Sequence, residues 1–422
     1  MFGTIIFILL LLILMIVAFL NEKKGIIIYV IFSLLSPNLH LNGMQVSFEI
    51  AAFFVIFLIL IFKRSQIFSL YKNWPHRQWV WIYFFLIIIS SLIAVIKYDS
   101  TISWIGIFGY FRVICIIYML QYVFRENPEK QLDNIIAPIL TVNLIVSIIQ
   151  LAMPSSVQLF YDLYYKDSMT PLKEVLGLGY FNRAYGTFGT PVLLGVFALF
   201  SFAVYLGYYV EKKPCRFLTL KILMAVSCGL IALSKTAILG MPMLVITVFI
   251  LGIFRMVKIK NKKVLIIPFF IVGIGYFMVD LLEKAGFAIS WYIRFLKHPF
   301  EAFGTRYDAG TGILTETYEI INQNLIFGVG PTPIGDAFVG DSMYINILYT
   351  SGILGLFIFL GILISSVFIN GIKKNVTVIM CGVAIVLGGF AAPIHLSIVS
   401  VSLLAYIFSR AELSGNELIN KK

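Results

Sequence analysis

Charge is scarce in this chain of 422 residues: Asp, Glu, Lys and Arg make up only 12% of it. A soluble globular chain carries about twice that share, so a water-soluble protein of this length is excluded. Cysteine and histidine number four each. Cys115, Cys215, Cys228 and Cys381 all lie outside the long polar stretches, so no disulfide is implied there. The histidines are scattered, and no spacing resembles a metal site. A phosphate loop, a nucleophile elbow and a dinucleotide fingerprint are also missing. That argues against ATP-driven chemistry on the cytoplasmic side, and no cofactor is expected. A reaction outside must start from an already activated substrate. No internal repeat is legible, which weakens the reading as an inverted-repeat transporter.

What the chain does have is apolar length. Its hydrophobic fraction is 60% and its mean hydropathy +0.97. Runs long enough to cross a bilayer recur from end to end. The expected fold is all-α: one integral membrane domain, residues 1–422, built as a polytopic helical bundle of about 12–13 spans. The spans are expected near 3–20, 25–37, 46–62, 78–96, 101–124, 135–152, 190–210, 218–233, 236–254, 264–282, 343–369, 376–391 and 396–409. The last two are read as short spans broken at Ala392-Pro393-Ile394-His395, or as one kinked helix. The run Ile5 to Leu20 has no basic residue before it and no small-residue cleavage site after it. It reads as a retained span rather than a removed signal peptide.

The net charge of +12 does not mark a nucleic-acid binder, because of where it lies. Basic residues gather in alternate short loops, such as Lys23 and Lys24, Lys212, Lys213 and Arg216, and Lys373 and Lys374. That is the positive-inside pattern. It sets the amino terminus outside and the tail, with Arg410, Lys421 and Lys422, inside. It also places both long hydrophilic stretches, 153–189 and 283–342, on the outer side. Within the second, Leu314, Tyr318, Ile321 and Leu325 sit at helical spacing, which predicts a helix lying on the outer membrane surface. Residues 304–312 read as a loop, and Gly328-Val329-Gly330-Pro331-Thr332-Pro333 as a turn.

Three spans begin at the outer face, after Thr190-Pro191, Ser234 and Asp341-Ser342, each a plausible cap. Helix amino termini present unpaired N–H groups and partial positive charge, which suit phosphates. Arg183 precedes the first, Lys235 opens the second, and Arg306 lies in the loop before the third. A pyrophosphate on a lipid carrier fits such ends. The plain alternatives are headgroup anchoring for Arg183, snorkelling for Lys235 and simple capping for Asp341. Asp308, Glu316 and Asp336 read as solvated surface. Arg112 differs, because it lies inside an apolar span and an intramembrane charge is a functional candidate by default. Its structural partner would be Asp99 or a backbone carbonyl. Glu49 reads as interfacial, and His395 as a polar residue filling a kink.

Three segments carry a resemblance. They are Arg183-Ala184-Tyr185-Gly186-Thr187-Phe188-Gly189-Thr190-Pro191; Leu233-Ser234-Lys235-Thr236-Ala237; and Phe327-Gly328-Val329-Gly330 followed by Asp341-Ser342-Met343-Tyr344 and Ser351-Gly352-Ile353-Leu354-Gly355-Leu356. In order and spacing the chain resembles the O-antigen polymerase and O-antigen ligase superfamily of bacterial envelope glycan enzymes. The likeness covers roughly the carboxy-terminal half. The front half matches only in hydropathy. The resemblance implies a GT-C-like architecture in the bacterial cytoplasmic membrane, with the active face outside. It implies metal-independent, inverting glycosyl transfer from an undecaprenyl-pyrophosphate-linked oligosaccharide. A chain-length regulator and a flippase would be candidate partners. On this reading Arg183, Arg306, Lys235 and, as a lesser candidate, Arg112 bind the pyrophosphate, and Asp341 orients the acceptor or acts as its base. Ligases tend to carry His-Asn where this chain has Asp341-Ser342, which favours a polymerase. Lys235 stands where the family often has Arg; it keeps the charge but loses the bidentate fork. The rival from another class is a lipid-linked oligosaccharide flippase, a transporter.

Overall fold

Long runs of Leu, Ile, Val and Phe leave the backbone no hydrogen-bond partner but itself once water is gone, and helix satisfies it residue by residue. The computed structural model describes residues 2–37, 39–41, 44–63, 76–164, 183–254, 259–261, 314–340, 342–369 and 375–419. α1 (Phe2–Leu20) and α2 (Glu22–Leu35) form an antiparallel pair. Asn21 joins them, its side chain accepting from Lys24 N at 3.0 Å to cap α2. A short antiparallel hairpin follows, β1 (Leu39–Leu41) and β2 (Met44–Val46), with Leu39 opposite Val46. Next come α3 (Phe48–Phe62), α4 (Arg77–Tyr98), α5 (Trp104–Phe124), α6 (Pro128–Ala152) and α7 (Pro154–Tyr164). Then come α8 (Pro191–Glu211), α9 (Leu218–Ile231), α10 (Lys235–Ile253) and α11 (Thr315–Gln323). The chain closes with α12 (Met343–Ile369), α13 (Val376–Gly389), a 3-10 turn (Ile394–Leu396) and α14 (Ile398–Ile419).

Among the described residues, α1, α4, α5, α6, α8, α10 and α12 are long and apolar enough to cross a membrane. α3, α9, α13 and the first part of α14 are shorter apolar helices. The expected helical membrane bundle is therefore present in its coarse form. α8 is its axis: 83% of its most apolar stretch is buried, against 17% for α1. A helix that is apolar all round belongs in the centre, and α8 packs against α9, α10 and α13. α1 instead exposes Ile5, Leu9, Leu12, Ile16 and Phe19, the surface that lipid would cover.

Two expectations are refined. The carboxy-terminal pair is two helices separated by the 3-10 turn, not one kinked helix. The span 343–369 is not continuous, because its backbone leaves the helix at Gly352 (φ 63°, ψ −167°). The expected span 264–282 lies outside the described residues.

The end of the bundle with the basic loops is locked by charge. Lys213 Nζ lies 3.0 Å from Glu129 and 2.9 Å from Glu211. Arg410 meets Glu129 at 2.9 Å, and Lys221 meets Asp133 at 2.6 Å. Glu211 also accepts from Val376 N at 2.7 Å and from the Thr377 hydroxyl. These contacts tie α6, α8, α9, α13 and α14 together. Part of the sequence's basicity is thus spent on internal acids.

Candidate functional site

At the opposite end, residues 183–190 run into α8 as a tucked segment rather than a solvated loop. α6 holds it. Gln150 Oε1 accepts from Tyr185 N (3.1 Å) and Gly186 N (3.0 Å), and Gln150 Nε2 donates to Gly186 O (3.1 Å). Asn143 Oδ1 accepts from Thr187 N at 2.8 Å. Tyr185 is fully buried, and its hydroxyl donates to Val157 O at 2.8 Å. Gly186 has a positive φ of 58°, and a Cβ there would lie 2.2 Å from Asn143 Oδ1, so only glycine fits. Thr190 then accepts from Leu193 N at 3.2 Å and Pro191 opens α8, as the cap expectation has it.

Arg183 leads this segment to the junction of α9 and α10. Its Nε donates to Ala232 O (3.1 Å) and its Nη2 to Leu233 O (3.1 Å). Ala184 N donates to Ile231 O at 3.3 Å. The guanidinium therefore sits on the carbonyls that end α9, where a cation is favoured. Leu233 turns the chain with a φ of 45°, and Ser234-Lys235 begins α10. Arg183 and Lys235 are brought to one junction, with the amino terminus of α10 between them.

A cavity of about 370 Å³ lies beside the segment. Ser33 of α2, Ser36 just beyond its end, Glu49 of α3, Thr187, Phe188 and Phe197 line it. Glu49 Oε1 lies 3.3 Å from Arg112 Nη2 of α5. This corrects two expectations: Arg112 pairs with Glu49, not Asp99, and Glu49 is not merely interfacial. Asp99 instead ends α4 in a left-handed conformation. The physical reason is packing: α2 brings α3 and α5 together, which spacing along the chain does not record. Tyr164 of α7 closes another side. Its hydroxyl donates to Leu35 O at 2.8 Å, and burial pushes its pKa up to about 12.

The third family-like segment folds against the break in α12. Val329 N donates to Tyr349 O (2.8 Å) and Gly330 N to Thr350 O (2.9 Å). Ile353 N donates to Leu325 O (2.8 Å), and Ser90 of α4 donates to Phe327 O. A Cβ on Gly328 would meet Tyr349 O at 2.6 Å, and one on Gly352 would meet Ile326 O at 2.2 Å. The two motifs are thus one structural unit, in which two irregular backbone stretches satisfy each other's hydrogen bonds. Ser342 accepts from Tyr344 N (3.2 Å) and donates to Gly389 O (3.1 Å), so it caps α12. His395 is buried, with Nε2 3.3 Å from the Tyr110 hydroxyl, which also contacts Thr350 at 3.3 Å.

The helix expected at 314–325 is present as α11, but its inner face is covered by protein. Leu314, Ile320 and Ile321 pack with Ala94, Val329 and Tyr349. Leu325 is exposed beyond its end. Glu316 is more than solvated surface, because its carboxylate accepts from Asp336 N at 3.1 Å. Arg306, Asp308 and Asp341 lie outside the described residues. Sequence reasoning missed Glu49 as Arg112's partner, and it missed Asn143, Ser147 and Gln150. The last three are buried polar residues at i, i+4 and i+7 of α6. That helical stripe inside an apolar span was the available signal. Among the described residues no group of three or more His, Cys, Asp or Glu could hold a metal ion. No known family, curated protein or solved structure matches the chain.

Proposed function

We propose that the chain is a polysaccharide polymerase of the bacterial cytoplasmic membrane. It transfers a growing glycan from undecaprenyl pyrophosphate to the next lipid-linked repeat unit at the outer face. The observation that carries this reading is the α9–α10 junction. Arg183 is fixed there by Ala232 and Leu233, two residues from Lys235 and from an amino terminus that favours anions. In the transfer, the acceptor hydroxyl oxygen bonds to the anomeric carbon while that carbon's bond to the pyrophosphate oxygen breaks. The electron pair leaves on the pyrophosphate, where Arg183, Lys235 and Arg306 offset the growing charge. The hydroxyl proton passes to a base, for which Asp341 is the candidate. Arg112 is a weaker candidate for the pyrophosphate, because Glu49 already neutralises it.

Disrupting the gene and running the envelope glycan on a gel tests the reading. Single repeat units should replace long chains. Loss of all exported lipid-linked glycan would favour the flippase, and unchanged chains would overturn the polymerase. Arg183→Ala also removes hydrogen bonds that end α9, so Lys235→Ala is the companion variant. Both should shorten chains while the protein remains in the membrane. Normal lengths in both would remove the junction from the site.

A further inference from the structure

We infer that the cavity beside residues 187–188 is a saccharide subsite in which Glu49 accepts a hydrogen bond from a sugar hydroxyl; this rests on the polymerase reading. An ion pair at this depth is costly to bury, and Coulomb attraction repays the cost only with good geometry and further hydrogen bonds. Here those further bonds are missing. Glu49 Oε1 and Arg112 Nε are both buried without a hydrogen-bond partner. Pairing between the two charges at 3.3 Å therefore leaves hydrogen-bonding capacity on both. Glu49 lines the cavity, so a ligand hydroxyl there can supply a hydrogen bond that its carboxylate lacks.

The wall chemistry selects the class of ligand. A carboxylate at the cavity surface repels phosphate, and Arg112 is already neutralised by it. A lipid tail would leave Ser33 and Glu49 unsatisfied. A lone cation would find one carboxylate whose charge is already compensated. A neutral polyhydroxylated molecule fits: its hydroxyls meet Ser36, Ser397, Thr187 and Glu49, and its C–H faces meet Phe188 and Phe197. At about 370 Å³ the cavity is at the small end of ligand sites, so it suits a short saccharide and not a polymer. Thr187 and Phe188 belong to the segment that carries Arg183. A sugar held here would thus be positioned by the same rigid element as the proposed pyrophosphate site.

The test uses the full chain in lipid nanodiscs. The probe is the water-soluble repeat-unit oligosaccharide released from the host's own glycan lipid, with inorganic pyrophosphate as comparison. Wild type should bind the oligosaccharide. The double variant Glu49→Gln/Arg112→Gln should weaken it about tenfold or more, as the loss of a charged hydrogen bond implies. Leu193→Trp fills the cavity from α8 without replacing either charge, and should weaken the sugar likewise while leaving pyrophosphate binding unchanged. It keeps the idea testable if the double variant does not fold. Wild-type sugar affinity in either well-folded variant would overturn the subsite, as would loss of pyrophosphate rather than sugar binding in Leu193→Trp. Unchanged chain lengths on gene disruption would sink the polymerase reading alone, since binding and its loss in the variants are measured apart from it.

Discussion

Gln150→Met removes the anchor of the Arg183–Pro191 segment while keeping a side chain of similar length and volume. Gln150 is 1% exposed and makes three hydrogen bonds to that segment. Methionine leaves two backbone N–H groups and one carbonyl without partners. Each buried orphan costs about 1–3 kcal/mol. The segment can open and let water satisfy them, so the realised loss lies at the low end, about 3 kcal/mol in total. That raises the population of the opened segment about a hundredfold. Hydrogen-exchange mass spectrometry in nanodiscs reads this directly, through the protection of the Tyr185 and Gly186 amides. Gln121→Met is the control. Gln121 is 7% exposed, yet its amide nitrogen has no partner, so its replacement costs little. Unchanged protection over residues 183–190 in Gln150→Met, or an equal change in the control, would refute the reasoning.

Gly352→Ala should destabilise by at least about 2 kcal/mol, because its conformation is one that only glycine adopts easily and a Cβ would strike Ile326 O; an unchanged Tm in detergent would contradict the paired-backbone unit. Lys213→Met should lower stability by about 3 kcal/mol, since it leaves Glu129 and Glu211 short of a buried partner. Lys23→Met is its contrast. Lys23 binds the exposed Glu126, holding that carboxyl below its usual range by hydrogen bond and charge, and solvent screening should make the loss far smaller; equal Tm shifts would count against the locked end. With the native cysteines replaced by serine, Asn322→Cys should react with an impermeant thiol reagent added to intact spheroplasts, and Lys24→Cys should not. Labelling of both from the same side would overturn the orientation.

The site is built from groups that a membrane protein tolerates only when something satisfies them. Asn143 and Gln150 are satisfied by the segment they hold. Gly328 and Gly352 let two backbones approach until they bond each other. Glu49 and Arg112 are an ion pair with hydrogen-bonding capacity left over, and Glu49 faces a cavity.

The sequence alone determined the long apolar helices of a membrane bundle, the caps at Thr190 and Ser342, and the end of the bundle that carries the basic loops. Hydropathy, capping and charge bias are set by a few consecutive residues and their transfer between water and lipid, so they are legible locally. The Arg183–Pro191 and Gly328–Gly330 segments were also visible, the first as the end of an outer polar stretch ahead of a span and the second as a turn. Tertiary structure decided that Arg183 meets Ala232 and Leu233, that Arg112 meets Glu49 rather than Asp99, and that residues 327–330 insert at the break in α12. Those choices depend on which helices pack side by side. In an apolar medium nearly every face of a span is equally apolar, so periodicity does not say which neighbour a face will meet.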